Sequence, residues 1–165
     1  MDLKEIWSEF KIAPSITSLN SNINQDYLKR TDNPFIINYA LYHHYRSLGW
    51  VIKLGIKFCV DLVLYKRGPV FHHAEFAVVL CPTYENEDDK KGSPFYINDQ
   101  RLSWQWLNTI NRVNSQAKKT LILAYVRIPS QDKMKGTNDI HEIIKLYKVK
   151  EIVVKRFVAA RNRDN

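Results

Sequence analysis

Residues 60–81 read VDLVLYKRGPVFHHAEFAVVLC and decide the fold, because two apolar runs flank a basic Gly-Pro turn. In both runs apolar side chains recur at every second position, which is the period of a half-buried strand. The stretch therefore predicts an antiparallel hairpin. The hairpin places Tyr65 at the end of one strand and puts His72 and His73 just before the next.

The segments on either side of this hairpin predict further elements. Asn33 and Pro34 signal the start of a helix and Gly49 ends it, so we expect a helix over about 34–48. The run WVIKLGIKF that follows predicts a strand that leads into the hairpin. After the hairpin, the polar and acidic segment 82–100 is predicted to be a loop.

A second helix and two more strands complete the predicted order. Ser103 caps a helix that runs to about Ala117. The inner face of this helix is predicted to use Trp106 or Leu107, Ile110 and Val113. LILAYV at 121–126 is a continuous apolar strand, a helix covers about 139–147, and KEIVVKRFV is the last strand.

This order of elements predicts a mixed α/β sheet covered by helices on both faces. A strand, a helix and a buried strand in succession form a crossover connection. The strand that starts near Thr120 should therefore run parallel to the strand that starts near His73. The starts of both strands then lie at the same edge of the sheet as the end of the Tyr65 strand.

The composition indicates one domain with a buried core, since 45% of the 165 residues are hydrophobic and 12% are aromatic. The apolar runs are too short for a membrane span and the N-terminus lacks the pattern of a secretory signal, so we expect an intracellular protein. Cys59 and Cys81 lie in apolar runs and are predicted to be buried, reduced thiols.

The formal net charge of +8 at pH 7 favours an acidic partner, with nucleic acid first and an anionic membrane surface second. Residues 145–163 hold seven basic side chains and one acidic side chain, so this segment contributes +6. A solvated basic face and a phosphate-binding surface both explain such a segment.

The predicted sheet edge brings three residue types together. They are Tyr65, one of His72 and His73, and one of Lys118 and Lys119, which precede the next buried strand. Taken singly, each is more often a packing or surface residue. Their convergence at one edge is what points to a site.

Together these groups could cleave RNA through its own 2′-hydroxyl. The reaction needs a base for the 2′ proton, an acid for the departing 5′ oxygen, and a cation for the charge that builds on phosphorus. Histidine can act as the acid and lysine as the cation. A phenol is a weak base at neutral pH, and neighbouring cations would favour its anion.

A metal-dependent nuclease is an alternative with less support. Such a site would use Asp61 and Glu75 on neighbouring strands. A lysine two residues after the glutamate would complete the pattern, and Ala77 occupies that position. We therefore expect no metal and no other cofactor.

Three separated motifs closely resemble the catalytic subunits of tRNA-splicing endonucleases. They are GWVIKLGIKFCVDLVLYKRGPVFHHAEFAVVL (49–80), RVNSQAKKTLILAYV (112–126) and VVKRFVAARNRD (153–164). They occur in order within about 34–164. The YKRGP turn followed by HAEF resembles the eukaryotic subunit type that is assigned to the 5′ splice site.

This resemblance implies a catalytic domain with a restriction-endonuclease-like α-β-α sandwich. It also implies metal-independent cleavage of intron-containing precursor tRNA, which leaves a 2′,3′-cyclic phosphate and a 5′-hydroxyl. The catalytic positions of the family fall on Tyr65, His73 and Lys119. His72 and Lys118 are then neighbours outside the triad.

The resemblance also implies how RNA is held. An arginine and an aromatic ring of the family grip a bulged nucleotide, and these positions fall on Arg112 and Phe157. A guanidinium plane and a ring can sandwich an unstacked base of any identity. Phenylalanine stands where the family usually has tryptophan, so the attraction between cation and ring should be weaker.

The family works as a four-subunit complex with a second catalytic subunit and two structural subunits, whose C-terminal strands pair between chains. Its usual location is the nucleus, although some fungi place it on the outer surface of mitochondria. Residues 1–33 are predicted to be a short N-terminal extension before the catalytic domain at 34–165. A noncatalytic RNA-binding or scaffold subunit of the same complex is the alternative, and the occupied triad favours the endonuclease.

Overall fold

The structure is a computed structural model that describes residues 30–93, 103–134 and 139–155. Within these residues the sheet has five strands in the order β1-β2-β3-β4-β5. The strands are β1 Val51–Leu54, β2 Leu62–Tyr65, β3 Phe76–Tyr84, β4 Thr120–Ile128 and β5 Lys148–Val154. The described helices are α1 Pro34–Ser47, α2 Glu87–Lys91, α3 Trp104–Gln116 and α4 Ile140–Leu146. Helices and sheet together confirm the predicted mixed α/β class.

The directions of the strands agree with the predicted hairpin and crossover. β2 pairs antiparallel with both β1 and β3. The Thr120 N–H donates to the Glu75 carbonyl where β3 and β4 begin, at 3.0 Å. Where they end, the Glu85 N–H donates to the Ile128 carbonyl, also at 3.0 Å. The two strands therefore run parallel, with α3 in the connection between them.

Helix α1 begins and ends where the sequence predicts. The Asn33 side-chain oxygen accepts a hydrogen bond from the Phe35 N–H at 3.0 Å, which satisfies one of the free donors at the helix start. The helix ends at Ser47, two residues before Gly49. Within the described residues, no helix combines the length and the apolar character needed to cross a membrane.

The predicted inner face of α3 is partly wrong. Ile110 and Asn114 are buried, whereas Val113 is 36% exposed. Residues four apart lie above one another on a helix, so a buried Ile110 brings Asn114 to the same face. An asparagine can be buried there because its Nδ2 donates to the carbonyls of Phe58 and Ile110.

The predicted loop 82–100 contains regular structure at its start. β3 continues to Tyr84, and α2 follows after Asn86, whose side chain accepts a hydrogen bond from the Asp88 N–H. Glu87, Asp88 and Asp89 stand in the first turn of α2 and Lys90 and Lys91 in its last, which is the arrangement that a helix dipole favours. These three acidic residues therefore form the start of a helix. Residues 94–100 of the predicted loop lie outside the described part of the chain.

Only one of the two cysteines, Cys81, is buried. Cys81 lies inside β3 and is 2% exposed, as predicted. The prediction for Cys59 is wrong, because this residue is exposed. Cys59 ends the short 3-10 turn Ile56–Phe58 with a φ of 55°, so it lies in a chain reversal and not in a strand.

The described residues fall into two compact units. The first comprises 30–44, 81–93, 125–134 and 139–150. Its N-terminal residues are fixed, since Thr31 N–H and hydroxyl both donate to the Gln131 side-chain oxygen and the Tyr147 hydroxyl donates to the Thr31 carbonyl. Burial raises the pKa of Tyr147 above its ordinary value. Thr31, Asp32 and Asn33, which the sequence assigns to the end of the extension, are thus buried in this unit.

The second unit comprises 45–80, 103–124 and 151–155, and it contains the hairpin. Its core holds buried apolar residues of the three central strands: Val63, Leu64, Ala77, Val78, Val79, Leu121, Ile122 and Leu123. Every described residue of the predicted catalytic triad lies in this unit, together with Arg112.

Candidate active site

Three strand ends are joined at the peptide groups of Glu75. The Glu75 N–H donates to the Leu64 carbonyl at 3.0 Å, and the Glu75 carbonyl accepts from the Thr120 N–H at 3.0 Å. Leu64 is followed directly by Tyr65, and Thr120 is preceded directly by Lys119. The backbone therefore places Tyr65 and Lys119 on either side of the chain that enters β3. His73 lies in this chain, two residues before Glu75.

The spacing of these three chain segments suits a single small ligand. Adjacent strands lie about 4.8 Å apart, so the outer two of three neighbouring strands are about 10 Å apart. Side chains of tyrosine, histidine and lysine are long enough to meet over the middle segment across that distance. The backbone therefore brings the three chain segments to one edge of the sheet. That their side chains meet there stays a prediction.

Tyr65 is held at the end of β2. It pairs with Val51 at the start of β1, and its side chain is half-buried. Beside it, the Trp50 ring packs edge-on against the Phe76 ring, with 5.3 Å between the ring centroids. This ring contact joins the residue just before β1 to the first residue of β3.

His73 lies in the turn that joins β2 to β3. Gly68 shapes this turn with a φ of +105°, a conformation that residues with a Cβ rarely adopt. The N–H groups of Phe71 and His72 both donate to the Gly68 carbonyl at 3.3 Å. His72 and His73 are exposed, so either imidazole can reach a ligand from this turn.

Lys118 and Lys119 have different roles in the backbone. At the C-terminus of α3, the Lys118 N–H donates to Ser115 at 3.1 Å and the Lys119 N–H donates to Asn114 at 2.9 Å. This bonding pattern, with Lys118 at a φ of 55°, is a Schellman cap. Lys118 occupies the left-handed position that glycine usually fills, and its side chain is exposed.

The Lys119 ammonium group is held by two uncharged partners. Its Nζ lies 4.3 Å from the centroid of the Phe58 ring and donates to the Ala117 carbonyl at 3.2 Å. Neither partner neutralises the positive charge. The ammonium group therefore remains available to an anion, and of the two lysines only Lys119 has this fixed side chain.

Arg112 lies on the exposed side of α3. It borders an open cavity of about 490 Å³ together with other polar residues of the same helix: Asn108, Asn111, Ser115 and Gln116. Its predicted partner Phe157 lies outside the described residues. The structure therefore places one half of the predicted base grip at a polar, accessible surface.

Asp61 and Glu75, the carboxylates of the alternative metal-dependent nuclease site, have structural roles in the sheet. The Asp61 Oδ2 accepts a hydrogen bond from the Leu80 N–H at 2.7 Å, and the Asp61 N–H donates to the Val78 carbonyl. Asp61 thus holds β3 beside the start of β2, while Glu75 contributes through its backbone. Among the residues that the structure describes, no three His, Cys, Asp or Glu side chains are grouped as metal ligands.

Sequence reasoning missed two residues around Lys119, namely Phe58 and Asn114. Phe58 belongs to an apolar run that reads as a strand, and only the 3-10 turn turns its ring toward Lys119. Asn114 sits in a helix where the neighbouring Val113 is the more apolar choice for an inner face. The available signal was the spacing, because Asn114 follows Ile110 by four residues and so shares its helix face.

The matched family model is described as "tRNA intron endonuclease, catalytic C-terminal domain", and it covers residues 35–135. Among curated relatives, the probable tRNA-splicing endonuclease subunit sen2 of Schizosaccharomyces pombe is 36% identical over 151 residues, which are 86% of this chain and 37% of the relative. The subunit SEN2 of Eremothecium gossypii is 41% identical over 131 residues, 76% of this chain and 32% of the relative. The Gallus gallus subunit Sen2 is 37% identical over 130 residues, 79% of this chain and 26% of the relative. The chain thus spans between about a quarter and two fifths of the length of these three relatives.

Replacement of Lys118 by glycine should stabilise the chain. A residue with a Cβ in the left-handed region is strained, and glycine removes that strain, so we expect Lys118→Gly to raise the free energy of unfolding by about 1 kcal/mol. Urea denaturation measures the change. Lys118→Ala is the matched control, since it removes the charge and keeps the Cβ, and it should give no such gain. Equal stability of the two variants would contradict the left-handed cap.

Proposed function

The chain belongs to the tRNA intron endonuclease family, and on that premise we propose that it is the subunit that cleaves intron-containing precursor tRNA at the 5′ splice site. The observation that carries the proposal is the pair of hydrogen bonds at Glu75, which brings the chain segments of Tyr65, His73 and Lys119 side by side. A family chain without catalytic function would have no chemical need for all three residue types at this edge.

The proposed reaction is a transesterification within the RNA. Tyr65 accepts the proton of the ribose 2′-hydroxyl, and the 2′ oxygen attacks the adjacent phosphorus. The bond from phosphorus to the 5′ oxygen of the next nucleotide breaks, and His73 gives its proton to that oxygen. The products are a 2′,3′-cyclic phosphate and a 5′-hydroxyl, so no water and no metal ion enters the balance.

Lys119 has the remaining role in this reaction. Negative charge builds on the non-bridging phosphate oxygens as the 2′ oxygen attacks, and a fixed cation lowers the energy of that state. The Lys119 ammonium group suits this role because it is half-buried and its neighbours Phe58 and Ala117 leave its charge uncompensated. Lys118 is exposed and acts as the cap of α3.

RNA binding is proposed to use the exposed side of α3 and the C-terminal segment. Arg112 and Phe157 would hold an unstacked base of the folded precursor between a guanidinium plane and a ring. The net charge of +8 supports the attraction of a polyanion of this kind. Recognition would then depend on the shape of the tRNA and its bulged nucleotides more than on duplex sequence.

We further propose that the chain works with a second catalytic subunit and two structural subunits. β5 stands at the end of the strand order, and its Ile152 and Val153 are 42% and 48% exposed. A strand at the end of a sheet offers unpaired backbone groups to another chain. The nucleus is the proposed location, with the cytosolic side of the mitochondrial outer surface as the alternative.

Loss of the His73 imidazole should abolish cutting at the 5′ junction, because the departing 5′ oxygen then lacks its acid. In the assembled complex with precursor tRNA, we expect His73→Ala to lower the rate at this junction at least ~100-fold. His72→Ala is the matched control, and it should keep most of the activity. Equal losses in the two variants, or normal cutting without His73, would favour the noncatalytic scaffold.

The nucleophile can be tested on the substrate. We expect that a precursor tRNA with a 2′-deoxynucleotide at the 5′ scissile position stays uncut at that junction, because the attacking oxygen is absent. The unmodified precursor should be cut in EDTA, and end-group mapping should show a 2′,3′-cyclic phosphate. Cutting of the deoxy substrate would instead identify water as the nucleophile and reject the transesterification.

A further inference from the structure

The side chain of Lys119 is fixed before any RNA is present. Its Nζ lies over the Phe58 ring, 4.3 Å from the centroid, and donates to the Ala117 carbonyl at 3.2 Å. A lysine side chain has four rotatable bonds, and ordering it costs conformational entropy. Contacts that already order it in the free protein remove that cost from the step in which RNA reacts.

Asn114 links the backbones of both partners in this contact. It is fully buried, and its Nδ2 donates to the Phe58 carbonyl at 3.3 Å. Its own carbonyl accepts from the Lys119 N–H at 2.9 Å. Asn114 therefore fixes the backbone position of Phe58 through its side chain and the backbone position of Lys119 through its carbonyl.

Keeping an amide at position 114 is unfavourable for packing alone. Its Oδ1 is buried, and within the described residues it accepts no hydrogen bond. Burying a polar oxygen without a partner costs free energy that an apolar side chain would not. The two donor contacts, to the Phe58 and Ile110 carbonyls, are thus the structural reason for an asparagine at this position.

The turn that carries Phe58 is also fixed. The Gly55 carbonyl accepts from the N–H groups of Phe58 at 2.8 Å and Val60 at 3.3 Å. A Cβ at position 55 would lie 2.4 Å from the Val60 Cγ2 and 2.7 Å from the Val60 carbonyl oxygen. The chain therefore closes tightly on itself here, and the Phe58 ring is presented from a turn with little freedom.

The chemistry of the two partners suits a cation that must later meet a phosphate. The face of an aromatic ring attracts an ammonium group without carrying a formal charge. A carboxylate in the same place would hold the lysine more strongly and cancel its field. Within the described residues, no ion pair engages Lys119, so its positive charge is not compensated by a carboxylate.

We propose that Phe58 and Asn114 are positioning residues that hold the Lys119 ammonium group ready for the scissile phosphate. Phe58 acts through its ring face, and Asn114 acts through the backbones of Phe58 and Lys119. This inference rests on the proposed function, because it assigns a purpose to the charge of Lys119 in RNA cleavage. Neither residue touches the RNA itself.

Single-turnover cleavage by the assembled complex tests the ring. Phe58→Leu keeps apolar bulk and removes the ring face, so we expect the cleavage rate constant to fall roughly tenfold. RNA affinity, measured on the 2′-deoxy precursor, should be unchanged. Phe58→Tyr is the matched control, since it keeps the ring, and it should cleave within about twofold of the wild-type rate. Asn114→Ala should behave like Phe58→Leu.

A double variant separates positioning from a general loss of structure. In a Lys119→Ala background, Phe58→Leu should cause no further loss, because the ring then has no ammonium group to hold. The same tenfold loss with and without Lys119 would overturn the proposal. Loss of activity in Lys119→Ala with normal activity in Phe58→Leu would overturn it while leaving the proposed function standing. Normal activity in Lys119→Ala would instead reject the role of Lys119 in the proposed function.

Lysine resonances give a readout that does not depend on cleavage. In the full chain labelled with ¹³Cε-lysine, the ring current of Phe58 should shift the Lys119 Cε–H resonance upfield. Loss of the signal in Lys119→Arg assigns it. We expect the upfield shift to persist in Phe58→Tyr and to disappear in Phe58→Leu. An unshifted Lys119 signal in the wild-type protein would overturn the proposal.

Discussion

Two hydrogen bonds at Glu75 are the constraint on which the rest of the candidate site depends. Through its N–H and its carbonyl, this residue joins the end of β2 to the start of β4 across the chain that enters β3. The residues with chemical groups stand just outside the strands that this connection aligns. A slip of either pairing by one residue would turn Tyr65 or Lys119 to the opposite face of the sheet. The pairing register at these three strand ends therefore determines how the residues of the candidate site are arranged.

The residues outside the strands need local devices to stay in place. The turn with His73 is shaped by Gly68, and the end of α3 is closed by a Schellman cap with a lysine in the left-handed position. Lys119 adds a contact with an aromatic ring. These devices hold backbone and cation while leaving the imidazoles exposed. That combination suits the proposed reaction, in which the site would admit a large folded RNA and present fixed groups to one linkage.

Much of the fold follows from local signals in the sequence. The Asn33-Pro34 pair sets the start of α1 through a contact within two residues. The period of two around the Gly-Pro turn sets the hairpin, because the two strands that pair follow one another directly in the chain. Asn114 was missed because its burial depends on a distant contact, whereas the prediction for Cys59 was wrong because its apolar run contains a local turn. Burial of Asn114 depends on the carbonyl of Phe58, 56 residues away in the chain, and exposure of Cys59 depends on a turn closed around Gly55. The sequence pattern could bring the triad to one edge, but it could not show that Phe58 lies beneath Lys119. The role of Phe157 stays a prediction.

The central claim is that Tyr65, His73 and Lys119 meet around one phosphate. Its most direct test is a structure of the assembled complex bound to a precursor tRNA with a 2′-fluoro nucleotide at the 5′ scissile position. This substitution removes the nucleophile and keeps the linkage intact. We expect the Tyr65 hydroxyl near the 2′ position, the His73 imidazole at the 5′ oxygen and the Lys119 ammonium group at a non-bridging oxygen, all around one phosphate. A bound scissile phosphate that any of these three side chains cannot reach would contradict the central claim.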